Sequence, residues 1–296
     1  MLTYSPSMKV TGFTFIRNAI LYDYPVVEAI RSILPLCDDF VVAVGKSDDE
    51  TLELIRQIDP LKIRIIETTW DDSLREGGRV LAVETDKAYQ TISDDTDWAF
   101  YIQGDEVVHE KYLEPVRNAM IKWKDRPEVD GLLFDYLHFY GSYDYIGISD
   151  KWYPHEIRII RKNSNIYSYR DAQGFRKENG RKLNVKPSGA FVYHYGWVKD
   201  PLAMQRKQES FHKLWHPDQW LEKNVLISDE FDYSGIDALH LFDATHPAVM
   251  LDRINSKNWK FDYELSFNNL SLKSRFKMFV RSKLGIEIGY KNYRRI

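Results

Sequence analysis

The chain has 296 residues, 44% of them apolar and 14% aromatic, enough to bury a sizeable core in one large or two small domains. Its 41 basic and 44 acidic side chains leave a net charge of −3, which excludes the strongly basic field of an ordinary nucleic-acid-binding protein. Cys37 is the single cysteine, no apolar run reaches about eighteen residues, and MLTYSPSMKV lacks the apolar centre of a signal peptide, so a cytoplasmic protein is expected.

In chain order, KVTGFTFI reads as a strand, and Asp23 with Pro25 opens a helix through PVVEAIRSIL. DFVVAVG is a short valine-rich run of the kind found in interior parallel strands. Ser47 is the expected N-cap of a helix over SDDETLELIRQI, whose first-turn acids suit the helix dipole. A strand KIRIIET, a helix from about Arg75 to Ile92, a strand DWAFYIQ, a helix EKYLEPVRNAMIKW and a strand DGLLFDYLHF follow. This alternation predicts a mostly parallel sheet covered on both faces, a three-layer α/β/α domain. After Tyr140 the pattern becomes mixed α+β: strands HEIRIIRKN and GAFVYHYGW, a hairpin at Asn179-Gly180, and a helix capped by Asp200 with Pro201 first. One continuous domain is expected over residues 1–235, with a nucleotide-binding half at about 9–110, an acceptor half at about 111–235, and an extension over 236–296.

The extension is electrostatically distinct. From Lys273 to Ile296 eight basic residues accompany one acid, Glu287; this net +7 leaves −10 for the remainder of a chain whose total is −3. Leu272, Phe276, Phe279, Val280 and Leu284 fall at helical spacing among Lys273, Lys277, Arg281 and Lys283. Two readings follow: the stripe packs on the domain, or this basic amphipathic helix lies peripherally on an anionic membrane through residues 270–296.

YIQGDEVVHE ends the DWAFYIQ strand in a cluster of charge. Ligands of open α/β sheets bind beyond the carboxyl ends of the strands, where Asp105 and Glu106 sit. Adjacent acids there suit a hard cation such as Mg²⁺ or Mn²⁺; alternatively, a solvated acid-rich turn starts the next helix. Gly104 permits close backbone approach.

The stretch FIRNAILYDYPVVEAIRSILPLCDDFVVAVGKSDDET followed by DWAFYIQGDEVV resembles the family 2 glycosyltransferases of the GT-A fold, over residues 9 to about 110. EIRIIRK and YHYGWVKDP are similar to the acceptor-side segments of bacterial members. The chain departs at Gln103, which stands where the family's DxD motif has its first acid; Asp105 matches the metal-binding acid. The resemblance implies sugar transfer from a nucleotide-diphosphate donor to a glycan or lipid-linked acceptor, as in cell-surface polysaccharide synthesis, assisted by Mn²⁺ or Mg²⁺ at Asp105 with Glu106 as auxiliary. It also implies a nucleotide contact at Asp48 or Asp49, one of which serves equally well as a helix-start acid. Arg17 and Asn18 would meet donor phosphates or base, and Arg79 the diphosphate. Gln103 would hydrogen-bond a ribose hydroxyl. His194, closing an apolar strand, reads as a return to the metal or as a hydrogen-bonded wall residue.

An inverting transfer needs a carboxylate base in the acceptor half. Asp171 is the first candidate and Glu156 the second, with Asp144 and Asp150 behind them; each is equally explained by an ion pair with a nearby arginine. Tyr140, Tyr143, Tyr145, Trp152, Tyr153 and Trp197 would stack on sugars or fill the core. His212 and His216 share a helix face without the third ligand or glutamate of a zinc site. Two other functions stay open: a nucleotidyltransferase, against which stands the missing glycine-rich loop after the first strand, and a non-catalytic sugar-nucleotide or glycan-binding module, which Gln103 makes credible.

Overall fold

The computed structural model describes residues 8–216, 219–220, 223, 228–285 and 287–296. The opening MLTYSPS, expected to carry no export signal, lies outside the described residues. The strands are β1 Val10–Ile16, β2 Asp39–Gly45, β3 Ile63–Thr68, β4 Trp98–Tyr101, β5 Glu106–Val108, β6 Gly131–Tyr140, β7 Tyr145–Gly147, β8 His155–Arg161, β9 Ile166–Tyr169, β10 Gly174–Lys177, β11 Arg181–Lys182, β12 Asn184–Trp197, β13 Leu239–Leu241 and β14 Arg294–Arg295. The helices are α1 Val26–Ile33, α2 Thr51–Arg56, α3 Arg79–Gln90, α4 Leu113–Trp123, α5 Pro201–Lys213, α6 Leu251–Asn255 and α7 Leu272–Leu284.

The central sheet has the order β13-β7-β6-β8-β4-β1-β2-β3, and β12 joins it beside β6. Strands β3, β2, β1 and β4 are parallel; β8, between β4 and β6, runs antiparallel to both. The sequence shows why the sheet is buried on both faces. Phe40, Val42 and Val44 of β2 enter one core with Ile30 and Ile33 of α1, while Val41 and Ala43 enter the other with Val80 and Ala88 of α3. The three-layer, mostly parallel α/β architecture expected from the strand-helix alternation is the one observed.

Several boundaries differ from expectation for local reasons. Gly77 and Gly78 both adopt positive φ (59° and 68°), so α3 starts at Arg79 instead of Arg75. Ser47 does not cap α2; its hydroxyl donates to the Gly45 carbonyl and accepts from the Asn18 amide, and α2 begins four residues later. Asp200 caps α5 as expected, accepting from the Leu202 and Ala203 amides. The Asn179-Gly180 hairpin joins β10 to β11, with both residues at positive φ.

The segment 236–296 contributes β13, paired with β7, and β14, paired with β12. The reading in which the α7 stripe packs on the domain fails. Leu272, Phe276, Phe279 and Leu284 are 85%, 62%, 58% and 64% exposed, and within α7 only Val280 is buried. Among the described residues no helix is long and apolar enough to cross a membrane.

Candidate functional site

The carboxyl ends of β1, β2 and β4 open on a cleft of about 1140 Å³. Its lining includes Arg17, Asn18 and Asp48 from the β1 and β2 ends, Trp70 and Arg75 from the β3–α3 loop, and Gln103, Gly104 and Asp105 after β4. Arg170, Asp171 and Gln173 from the β9–β10 turn, His194 and Trp197 from β12, and Lys207 from α5 close the other side. The cleft lies where ligands of open α/β sheets are found, and it exceeds the size of most small-molecule pockets.

Asp105 lines the cleft and is almost buried. Burial alone would raise its carboxyl pKa, but Lys207, His194 and Lys199 outweigh that and hold it well below the usual carboxylate range. Lys207 Nζ lies 3.2 Å from Asp105 Oδ2 and donates to the Gly196 carbonyl at 2.9 Å. On the other side, His194 Nε2 is 3.8 Å from Asp105 Oδ1. The histidine tautomers follow from a chain of bonds. His138 Nε2 is 2.7 Å from the Tyr153 carbonyl, which only accepts, so Nε2 carries the proton. Burial, with His194 adding to it, pushes His138 down to about 3 and keeps it neutral, leaving Nδ1 bare. His194 Nδ1, 3.1 Å away, therefore donates to it. Burial also lowers His194, so its Nε2 presents a lone pair to the cleft, opposite an ionised carboxylate oxygen. A Cβ at Gly196 would meet His194 Nε2 at 2.7 Å and Asp105 Oδ2 at 2.8 Å, so only glycine leaves this space open.

Glu106 does not join Asp105 in the cleft. Fully buried, it accepts from Arg158 Nε (2.7 Å) and Nη2 (2.6 Å), from the Tyr136 hydroxyl (2.8 Å) and from the Gln103 amide (3.1 Å). Its oxygens are engaged in a bidentate buried ion pair, which removes it from the expected metal ligands. Among the described residues no three His, Cys, Asp or Glu side chains form a metal-holding cluster. Of the three expected metal ligands, Asp105 and His194 face each other in the cleft, with Lys207 seated on the Asp105 carboxylate.

Gln103 holds the turn that carries Asp171. Its amide nitrogen donates to the Ala172 carbonyl at 3.2 Å and to the Tyr101 hydroxyl at 3.3 Å. Arg170 and Ala172, on either side of Asp171, both have positive φ, 57° and 61°, a strained conformation for side-chain-bearing residues. Burial raises the Asp171 pKa against its backbone hydrogen bonds and Arg170.

At the donor end Asn18 and Asp48 are bonded reciprocally: Asn18 Nδ2 donates to Asp48 Oδ2 at 3.1 Å, and the Asp48 amide donates to Asn18 Oδ1 at 2.8 Å. Asp49 is the helix-start acid, accepting from the Leu21 and Thr51 amides. Arg17 lies over the Trp70 ring and 3.1 Å from Asp72.

Two expected residues lie elsewhere. Arg79 is exposed on α3 outside the cleft lining, which contains Arg75 instead, because the double glycine turns the chain between them. Glu156 sits beside Asn292 and Gln173, outside the lining, and desolvation pushes its pKa up to about 8. Asp144 is taken by Ser142, and Asp150 by Lys277 and Ser274. Trp197 and Tyr153 line the cleft, as do His212 and His216; Tyr140 and Tyr143 are core. Lys207 and His138 were not anticipated, and Arg158 was expected only as an ion-pair partner of a candidate base. Only His138 leaves a trace in the sequence, as a histidine inside the apolar run DYLHFY.

No protein-family profile matches the chain, and no curated protein does. Solved structures similar to it include S. aureus TarS, which at 12% identity and TM-score 0.38 covers 75% of this chain, while this chain spans 41% of that one. A 4-diphosphocytidyl-2C-methyl-D-erythritol synthase from Anaerococcus prevotii shares 13% identity at TM-score 0.34, covering 65% of this chain and 92% of its own. Glucosyl-3-phosphoglycerate synthase from Mycobacterium tuberculosis, in complex with Mn²⁺, UDP and glucosyl-3-phosphoglycerate, shares 16% identity at TM-score 0.30 over 46% of each chain. These likenesses are too distant to assign a family or a reaction.

Proposed function

We propose that the chain is a GT-A-like glycosyltransferase that moves a sugar from a nucleotide-diphosphate donor to an acceptor hydroxyl by one in-line displacement, which inverts the anomeric centre and forms no covalent intermediate. The observation that carries this reading is the opposed pair at the strand ends: an ionised Asp105 oxygen and the bare His194 Nε2, 3.8 Å apart in a cleft wide enough for a sugar nucleotide. Both would hold Mn²⁺ or Mg²⁺, which keeps several waters and needs few protein ligands beside substrate phosphates. When bound, the cation supplies Lewis-acid neutralisation of the departing diphosphate.

The chain's own groups supply the rest. Asn18 and Asp48 receive the nucleoside, Arg17 and Arg75 face its phosphates, and Trp197 and Tyr153 offer ring faces to the sugar. Lys207, 3.2 Å from Asp105, would add positive charge beside the leaving group. The bond from the anomeric carbon to the diphosphate oxygen breaks, with its electron pair leaving on the diphosphate. The acceptor oxygen bonds to that carbon, and its proton passes to Asp171. In this reading residues 9–110 serve the donor and 111–235 the acceptor. The exposed apolar and basic residues of α7 support peripheral contact with an anionic membrane, suited to a cell-surface glycan pathway.

A binding-only reading is favoured by one feature, the ammonium of Lys207 already seated on Asp105. A panel of UDP- and GDP-sugars with and without Mn²⁺ separates the two. Metal-dependent stabilisation with nucleoside diphosphate release, lost in Asp105→Ala, supports the transferase; stabilisation without release by any acceptor preparation supports the binding module.

A further inference from the structure

We propose that the β10–β11 hairpin and the C-terminal strand β14 form an anion-binding groove for a phosphate-bearing acceptor chain. An open pocket of about 510 Å³ there is lined by Lys177, Arg181, Lys182, Asn184, Tyr293 and Arg294, with no carboxylate among them. Lys177 is neutralised by Asp130 at 2.7 Å. Arg181 and Arg294 are exposed and form no ion pair among the described residues, and Lys182 only covers the Tyr290 ring at 4.8 Å. In a molecule of net charge −3, three uncompensated cations around one concavity are a positive focus that an anion would relieve.

The groove is built, and a chain of side-chain contacts links it to the cleft. β14 pairs with β12 at Asn184↔Arg294, and Arg176 donates to the Asn292 carbonyl at 2.6 Å, which fixes the C-terminal segment against β10. Tyr290, 62% exposed, lies between Lys182 and Arg170, whose guanidinium is 5.4 Å from the ring. Arg170 in turn lines the catalytic cleft next to Asp171. The cations thus run as a track from the pocket to the candidate base, and spaced charges fit a repeating anion better than one phosphate. Guanidinium forks suit phosphate oxygens. The lining is polar and aromatic, whereas the apolar residues suited to a bilayer are on α7. That the bound chain is the acceptor rests on the transferase reading; that the groove binds phosphates does not.

The test is fluorescence anisotropy of the full chain with dye-labelled short-chain inorganic polyphosphate, without any sugar donor, across a salt series. Arg181→Glu/Arg294→Glu should weaken binding by about tenfold or more, as expected for losing charge-assisted bonds, while Lys273→Glu/Lys283→Glu on α7 should change it far less. An unchanged melting temperature shows that the first variant folds; if it does not fold, Arg181→Ala/Lys182→Ala gives the same reading with a smaller loss. Polyphosphate binding equal to wild type in the groove variants, or reduced equally by the α7 variant, overturns the proposal. Loss of binding to phosphatidylglycerol vesicles in the groove variant with polyphosphate binding intact would also overturn it, in favour of a lipid occupant. Absence of sugar transfer alongside groove-dependent polyphosphate binding would count against the transferase reading alone.

Discussion

Asp171 sits between two left-handed residues, tied down by Gln103, with its pKa raised by burial. As a general base it must be ionised, so the acid limb of kcat/KM is expected above the ordinary aspartate pKa, and Asp171→Asn should lower kcat by about 10²- to 10⁴-fold with little change in donor binding. A steady-state pH profile of both proteins checks this. Glu156 behaves differently. Folded, it keeps its proton up to about 8, whereas an ordinary glutamate releases it near 4.5. Its contribution to stability is therefore complete below that lower value and is lost as pH rises through about 8. Melting temperatures measured from pH 5 to 9 should fall less steeply in Glu156→Gln than in the wild type. Asp105, Asn18, Asp48, Gln103 and His194, picked out from the sequence, line one cleft, because strand ends in α/β sheets converge. The sequence kept Glu106 beside Asp105 as an auxiliary ligand, whereas neighbours on a turn point opposite ways, and Arg158, which claims Glu106, is 52 positions away.

At the scale of elements, the β4–β5 turn is held by that pair. Removing one partner of a buried ion pair strands the other, so Glu106→Ala should cost about 3–5 kcal/mol. Urea unfolding measures it, and a loss below about 1 kcal/mol would show that Arg158 finds other partners or water. The regular elements were legible because apolar periodicity and burial coincide in this sheet: the limits of β2 were read without error, and Asp200-Pro201 marked the start of α5. The start of α3 differs from expectation because helical periodicity continues through sequence that Gly77 and Gly78 turn aside, and Arg79, expected at the diphosphate, lies outside the cleft that Arg75 lines.

Across the whole molecule the charge is divided between an acidic body and a basic C-terminal segment, and the structure divides that segment again. Lys273, Arg275, Lys277, Arg281 and Lys283 belong to α7, whereas Arg294 and Arg295 belong to a strand docked on the sheet. Composition showed the segregation but not this split, since the docking pairs Arg294 with Asn184 of β12, 110 positions earlier in the chain. With its apolar stripe exposed, α7 should bind phosphatidylglycerol vesicles in a salt-sensitive manner, and Phe276→Glu/Phe279→Glu should abolish that binding in a flotation assay. Undiminished flotation of the variant would remove the membrane reading. The central claim is that the cleft holds a nucleoside diphosphate through a cation at Asp105 and His194. Calorimetric titration with UDP and GDP, with and without Mn²⁺, tests it most directly. The account predicts that Mn²⁺ tightens binding of one of the two nucleotides at least about tenfold and that Asp105→Ala removes this gain; binding indifferent to Mn²⁺, or a gain that survives Asp105→Ala, would contradict it.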